Sequence, residues 1–213
     1  KGIWSQIGQS LVGENSYDNL GRFGSLSKDA KRVATSAHGY DSDGKEYVGQ
    51  VSVYEFNDSD NQWIQIGNKI TGEDAYDYLG WSVSLNQDGS RLAINISNAD
   101  GENNNTNNLG EVKIYEFNAS TNNWDQLGQT ILGIAQDTHI ELVTLNSIGN
   151  IVVLSTGNYD HTDDDGNTAQ NIGIARVYQY SSDLNQWIKM GQDILGERAT
   201  DYFGYKGLDI NGA

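Results

Sequence analysis

Four tryptophans, Trp4, Trp63, Trp124 and Trp187, recur at spacings of 59, 61 and 63 residues. Each opens the same phrase. The copies are Trp4-Ser5-Gln6-Ile7-Gly8, Trp63-Ile64-Gln65-Ile66-Gly67, Trp124-Asp125-Gln126-Leu127-Gly128 and Trp187-Ile188-Lys189-Met190-Gly191. A further glycine follows in every copy, at Gly13, Gly72, Gly133 and Gly196. Units of about sixty residues repeated in this way cannot bury their apolar faces alone, so each must lean on its neighbour.

Within a unit the apolar period is two, the signature of strands. Trp81-Ser82-Val83-Ser84-Leu85 alternates and runs into the turn Asn86-Gln87-Asp88-Gly89, from which Arg91-Leu92-Ala93-Ile94 returns. A variable polar loop comes next. It is followed by Gly49-Val51-Val53-Tyr54-Phe56 in the first unit and Gly110-Val112-Ile114-Tyr115-Phe117 in the second. Gly173-Ala175-Val177-Tyr178-Tyr180 is the looser third copy. A short polar turn then leads to the next Trp strand. The aromatics Trp63, Tyr115 and Phe117 read as packing between units.

Four antiparallel strands per unit, with no helical periodicity, predict an all-β fold: a β-propeller of four-stranded antiparallel blades. A sandwich would not keep the same turn and aromatic in every fourth strand. The chain 1–213 reads as a partial β-propeller with repeats at 4–62, 63–123, 124–186 and a truncated 187–213. It starts on a fourth strand and stops where a first hairpin turns. The expectation is a ring of about three and a half blades, completed by the rest of a longer chain or by further copies of itself.

Composition narrows the partners. The net charge is −16, and the 13 Lys and Arg are scattered, so no nucleic-acid surface is expected. No apolar stretch reaches the roughly twenty residues that span a bilayer. With no cysteine, disulfides and thiolate metal sites are excluded. With no proline either, the 25 glycines, helped by Asn and Asp, must make the sharp turns.

The run Asp77-Tyr78-Leu79-Gly80-Trp81-Ser82-Val83-Ser84-Leu85, then Arg91-Leu92-Ala93-Ile94, then Gly110-Glu111-Val112-Lys113-Ile114-Tyr115, resembles the FG-GAP repeat of integrin α-chain heads. The branch with Trp-x-Gln-x-Gly and Gly-Glu-x-x-x-Asp-x-x-Gly phrases, common in secreted proteins of marine bacteria and algae, is the more similar. The resemblance covers nearly the whole chain, with the third unit eroded. It implies a seven-bladed ring when complete, an extracellular or cell-surface location, adhesion to protein or glycan partners, and no enzymatic activity. The calcium loop of that family is not matched. Ser27-Lys28-Asp29-Ala30 and Asn86-Gln87-Asp88-Gly89 are too short and too poor in carboxylates to supply the six to eight oxygens that calcium takes.

Three groups of residues are candidates for chemistry. Glu14 and Asp18, Glu73 and Asp77, and Glu197 and Asp201 recur in the Gly-Glu-x-x-x-Asp segment. A catalytic pair is needed once, so recurrence predicts loop capping through backbone N–H groups. The third unit breaks the segment, with Ile134, Thr138 and Glu141 in place of Glu, Asp and Gly. Asp160, Asp163 and Asp165 offer a calcium site; otherwise no cofactor is expected. Asn57, Asn118 and Asn104 begin Asn-x-Ser/Thr sequons, and Asn57 and Asn118 sit at the same rim turn, so these are the expected glycans. His38, His139 and His161 share no metal-ligand spacing and read as exposed or incidental.

Three functions follow. The first is a binding or adhesion module that presents loops of a repeated frame. The second is a building block of an extracellular filament, sheath or surface layer. The third is a propeller hydrolase or lyase, disfavoured because every acidic motif recurs.

Overall fold

The computed structural model describes residues 2–100 and 108–210. The first sheet holds β1 (Gly24–Leu26), β2 (Arg32–Ala37), β3 (Gln50–Asn57) and β4 (Gln62–Thr71), side by side in chain order. The second holds β5 (Leu79–Leu85), β6 (Arg91–Ile96), β7 (Glu111–Asn118) and β8 (Asn123–Gln126), with β9 (Ile131–Leu132) continuing the outer edge along β7. In the third unit β10 (Leu142–Leu145) and β11 (Ile151–Thr156) are followed by a loop that forms its own small hairpin. That hairpin is β12 (His161–Thr162) and β13 (Thr168–Ala169). Strands β14 (Ile174–Ser181) and β15 (Gln186–Leu195) complete the third sheet. All pairings within the sheets are antiparallel. The chain is all-β and forms a partial β-propeller with three complete blades.

The blades stack side by side around two apolar seams. Ala34, Val51, Val53 and Ile70 of the first blade meet Val83, Leu92, Ile94 and Trp124 of the second. Val112, Ile114 and Leu127 of the second meet Val143, Val152, Leu154 and Trp187 of the third. The middle blade is covered on both sides, which changes the meaning of its alternation. Ser82 and Ser84 do not face water: their hydroxyls accept the Val143 and Leu145 amides of the third blade at 3.2 and 3.0 Å. Ser25 does the same for Leu85 at 2.9 Å.

The repeated Trp phrase is a joint between blades. Each indole packs at a tilt against an aromatic of its own third strand: Trp63 against Phe56, Trp124 against Phe117 and Trp187 against Tyr180, with ring centres 5.1, 5.1 and 5.2 Å apart. Each also lies over the phrase glycine of the preceding unit. A methyl group at Gly8, Gly67 or Gly128 would fall 2.7, 2.5 or 2.9 Å from the indole Cδ1 of the next Trp. All three glycines have left-handed φ, between 65 and 72°. The amide one residue later grips the same Trp. Gln129 accepts the Trp187 amide and donates to its carbonyl, both at 2.8 Å. Gln9 repeats this on Trp63, and Asn68 accepts from Trp124.

Arginine adds a second joint. Arg32 pairs with Glu55 on its own blade, donates to the Gly89 carbonyl of the next at 3.1 Å, and lies over Phe117. Arg91 repeats this with Glu116, Gly149 and Tyr180. In the third blade the paired positions are Ile151 and Gln179, so both halves of the ion pair are lost together.

The two ends depart from the sequence-based expectation. The segment around Trp4 is not a strand, and Trp4 is 98% exposed. Its backbone pairs with no third strand among the described residues, unlike that of the later Trp copies. Gly8 and Gln9 nevertheless occupy their places against Trp63. After β15, the fourth unit contributes a single bridge, Phe203 to Gly173, and no sheet among the described residues.

The joint gives a direct expectation. Trp124→Ala removes a side chain that is 4% exposed, and should cost about 3–5 kcal/mol in urea unfolding. A loss under about 1 kcal/mol would mean that the indole does not hold the blades together.

Candidate binding site at the hub

Every connection from an outer strand to the next inner strand carries the same kink. Asn19, Tyr78, His139 and Tyr202 occupy equivalent positions and all have left-handed φ, from 47 to 57°. Non-glycine residues rarely adopt this region. Backbone bonds hold them there: the amides of Tyr78 and Tyr202 donate to the carbonyls of Tyr47 and Asn171, both at 3.0 Å. Three residues beyond each kink stand Arg22, Trp81, Leu142 and Tyr205. These four line one funnel of about 890 Å³. Units that are not neighbours meet only at the hub, so the funnel lies on the axis side of the blades.

The walls of the funnel are aromatic. Trp81 is flanked by Phe23 at 5.8 Å, by His38 edge-on at 5.2 Å and by Tyr78 at 6.1 Å between ring centres. Tyr47 stacks on Tyr78 at 5.4 Å. The Arg22 guanidinium lies 4.9 Å from the Trp81 ring centre, within cation–π range. Lys206 and Glu141 add polar groups to the same wall. The Nδ1 atoms of His38 and His139 are buried with no hydrogen-bond partner among the described residues. Burial, and then the Arg22 charge, push the His38 pKa down, so its ring is neutral at pH 7. Burial pushes the Glu141 carboxyl up, while a 2.8 Å bond from the Gly157 amide opposes this.

Two sequence-based expectations are corrected here. His38 is not exposed or incidental: it is 4% exposed, and it lines the funnel together with His139. The breaks in the third unit are not mere erosion either. Replacement of the repeat glycine by Glu141, and of tyrosine or asparagine by His139, places two ionisable groups at the hub. The irregularity was the available signal, since a frame residue recurs and a site residue need not.

The recurring carboxylates lie away from the funnel. Asp18 accepts the Asn15 amide at 2.7 Å, and Asp201 accepts those of Glu197 and Arg198 at 3.0 and 2.8 Å, closing their loops. Glu14 pairs with Lys69, and Glu73 with Lys113. Asp77 sits in a separate acidic cleft of about 760 Å³ with Glu73, Asp74, Asp100 and Glu111. Burial first, then the charges of Asp74, Asp100 and Glu111, push the Asp77 carboxyl up to about 7.

The calcium candidates do not come together. Asp163 is spent on its own hairpin, accepting the Asp165 and Asn167 amides at 3.1 and 2.8 Å, and Asp160 accepts that of Asn171 at 2.7 Å. Among the described residues no three carboxylates or imidazoles converge on a point where a cation would sit. Asn57 and Asn118 begin equivalent turns, each accepting the amide two residues on, of Ser59 and Ser120, at 2.9 and 3.0 Å. Asn104 lies outside the described residues.

Blades built around a hub funnel define the class: a partial β-propeller with a candidate ligand site on its axis. Two solved structures share that fold. One is the "putative 6-phosphogluconolactonase" of Bacteroides fragilis, 12% identical, with a TM-score of 0.51 over 86% of this chain and 41% of that one. The other is Sqt1 of Saccharomyces cerevisiae, a WD40 propeller, 9% identical, with a TM-score of 0.53 over 91% of this chain and 40% of that one. The chain thus spans about two fifths of the length of either structure. No protein-family model matches it, and no curated protein sequence matches it.

These findings correct two expectations. The FG-GAP resemblance does not hold: no model of that family matches, and the similar structures named here are a lactonase-named protein and a WD40 propeller. The exclusion of enzymatic activity is also withdrawn, because the fold is shared with a protein that carries an enzyme's name. Recurrence of the acidic motifs was a poor ground for that exclusion, since the funnel is built from residues that do not recur.

The acidic cleft carries a pH dependence. Between the ordinary carboxyl value of 3.8 and about 7, folded Asp77 keeps a proton that the unfolded chain has released. Its contribution to stability therefore falls as pH rises through that window. Asp77→Asn should be less sensitive to pH than the parent in thermal melts between pH 5 and pH 8. Parallel curves for the two proteins would refute the assignment.

Proposed function

We propose that this chain is a carbohydrate-binding module of a secreted protein, with the hub funnel as its ligand site. One observation carries the reading: Trp81, Tyr78, Tyr47 and Tyr205 wall a single open cavity that also holds polar and charged groups. The C–H face of a sugar ring packs against indole and phenol rings, while its hydroxyls need hydrogen-bond partners around the edge. His38, Glu141, Asn19 and Asn98 supply those partners. Adhesion through this site, and a place outside the cell, belong to the same reading. The sequons at Asn57 and Asn118 support the location, because both fall in exterior turns of equivalent strands.

A second reading, hydrolysis of a bound sugar derivative, is favoured by Glu141. A half-buried carboxyl whose pKa is raised by desolvation is a candidate proton donor or acceptor. The fold is also that of a protein named as a lactonase.

A glycan array followed by calorimetric titration tests the first reading. The parent should bind at least one saccharide, and Trp81→Ala should weaken it by at least about tenfold with the melting transition retained. An array without binders, or a Trp81→Ala variant of unchanged affinity, overturns it. Turnover of the bound sugar, lost in Glu141→Gln while binding persists, would select the second reading. If the protein is made in a glycosylating host, glycopeptide mapping should find glycans on Asn57 and Asn118; bare asparagine at both removes that support for secretion.

A further inference from the structure

We infer that the funnel selects acidic saccharides, those bearing a carboxylate, sulfate or phosphate, over neutral ones. This rests on the carbohydrate reading and names the ligand class within it. The first ground is the fate of the basic side chains. The chain carries 29 acidic residues against 13 basic ones, so a cation readily finds a carboxylate. Eight of the basic residues do so. Four described cations, Arg22, Lys28, Arg198 and Lys206, form no ion pair among the described residues, and two of them, Arg22 and Lys206, line the funnel. They come from opposite ends of the chain, and the stacking of the units brings both to one cavity.

Each cation is held on an aromatic face. Arg22 lies over Trp81 at 4.9 Å and Phe23 at 5.7 Å, and Lys206 over Tyr205 at 5.2 Å. The cation–π contact tethers the guanidinium without using its N–H groups on a carboxylate, and a guanidinium can offer two of them to carboxylate, sulfate or phosphate. A sugar ring on the aromatic wall would then carry its charged substituent to Arg22 or Lys206.

The second ground is independent of charge. His38 is 4% exposed, lines the funnel, and has an Nδ1 atom with no partner among the described residues. Leaving a buried polar nitrogen unsatisfied is costly, so such groups mark places where a ligand or water completes the bonding. A sugar hydroxyl can both donate and accept, and so meets either tautomer of that ring. Glu141 does not cancel the anion preference. Its carboxylate already accepts the Gly157 amide and makes no ion pair with either cation. It stands as an acceptor for hydroxyls.

The test compares ligands that differ only in charge. Oligogalacturonates and their methyl esters provide the carboxylate pair. Glucose 6-phosphate and a glucose sulfate, each set against glucose, provide the others, and inorganic phosphate alone separates a sugar phosphate from the free ion. At least one acidic member should bind about tenfold or more tightly than its neutral partner. The gap should narrow in high salt. Arg22→Gln and Lys206→Gln should each reduce acidic binding by about tenfold, and by clearly more than they reduce neutral binding. Equal affinities within every pair, or variants that weaken neutral and acidic ligands alike, would overturn the inference and spare the carbohydrate reading. Binding of inorganic phosphate as tight as that of glucose 6-phosphate would also overturn it. If no saccharide binds, charged or neutral, both fall.

Discussion

The contact on which the rest depends is an indole lying over a glycine of the neighbouring unit. A blade of four strands leaves apolar groups on both faces, and no single unit can bury them. Trp124 and Trp187 close the seam to the preceding blade, and glycine is obligatory beneath them because any Cβ would stand within 3 Å of the ring. The Gln or Asn that follows the glycine then fixes the Trp backbone, so register between blades is set by polar bonds while affinity comes from apolar area. The same phrase therefore has two halves serving two blades. Its Trp packs back onto the unit before, and its Gly and amide receive the unit after.

That division explains why the repeats are strict in some places and loose in others. Positions that touch a neighbouring blade recur: Trp, Gly, the Gln or Asn, and the Arg32 and Arg91 joints. Positions at the start of each inner strand do not recur, and there Arg22, Trp81, Leu142 and Tyr205 stand in register. Stacking carries these unlike residues to a common hub. A frame built from sameness thus presents a wall built from differences, which a ligand site requires. The left-handed residues Asn19, Tyr78, His139 and Tyr202 are part of that presentation, because the kink turns the chain inward before each inner strand begins.

The period, the four-strand unit, the hairpin turns and the side-by-side stacking were legible in the residues, because each follows from local rules acting within about sixty positions. Loop capping by Asp18 and Asp201 followed for the same reason, since their partners lie three or four residues away. The resemblance to a named family misled. Short phrases such as Trp-x-Gln-x-Gly report how blades join, and joints of this kind do not identify a lineage.

What the sequence alone determined is the blade: strand alternation, turn chemistry and a Trp–Gly period are short-range facts, and short-range physics decodes them. The tertiary structure decided which face of each strand meets another blade, so Ser82 and Ser84, the polar positions of an alternating strand, are seam residues. It also decided the hub. Arg22, His38, Trp81, Glu141 and Lys206 belong to different units and share no motif, and only the curvature of the stacked sheets brings them around one cavity. Curvature is the sum of many small rotations between blades, a quantity that no single stretch of sequence encodes.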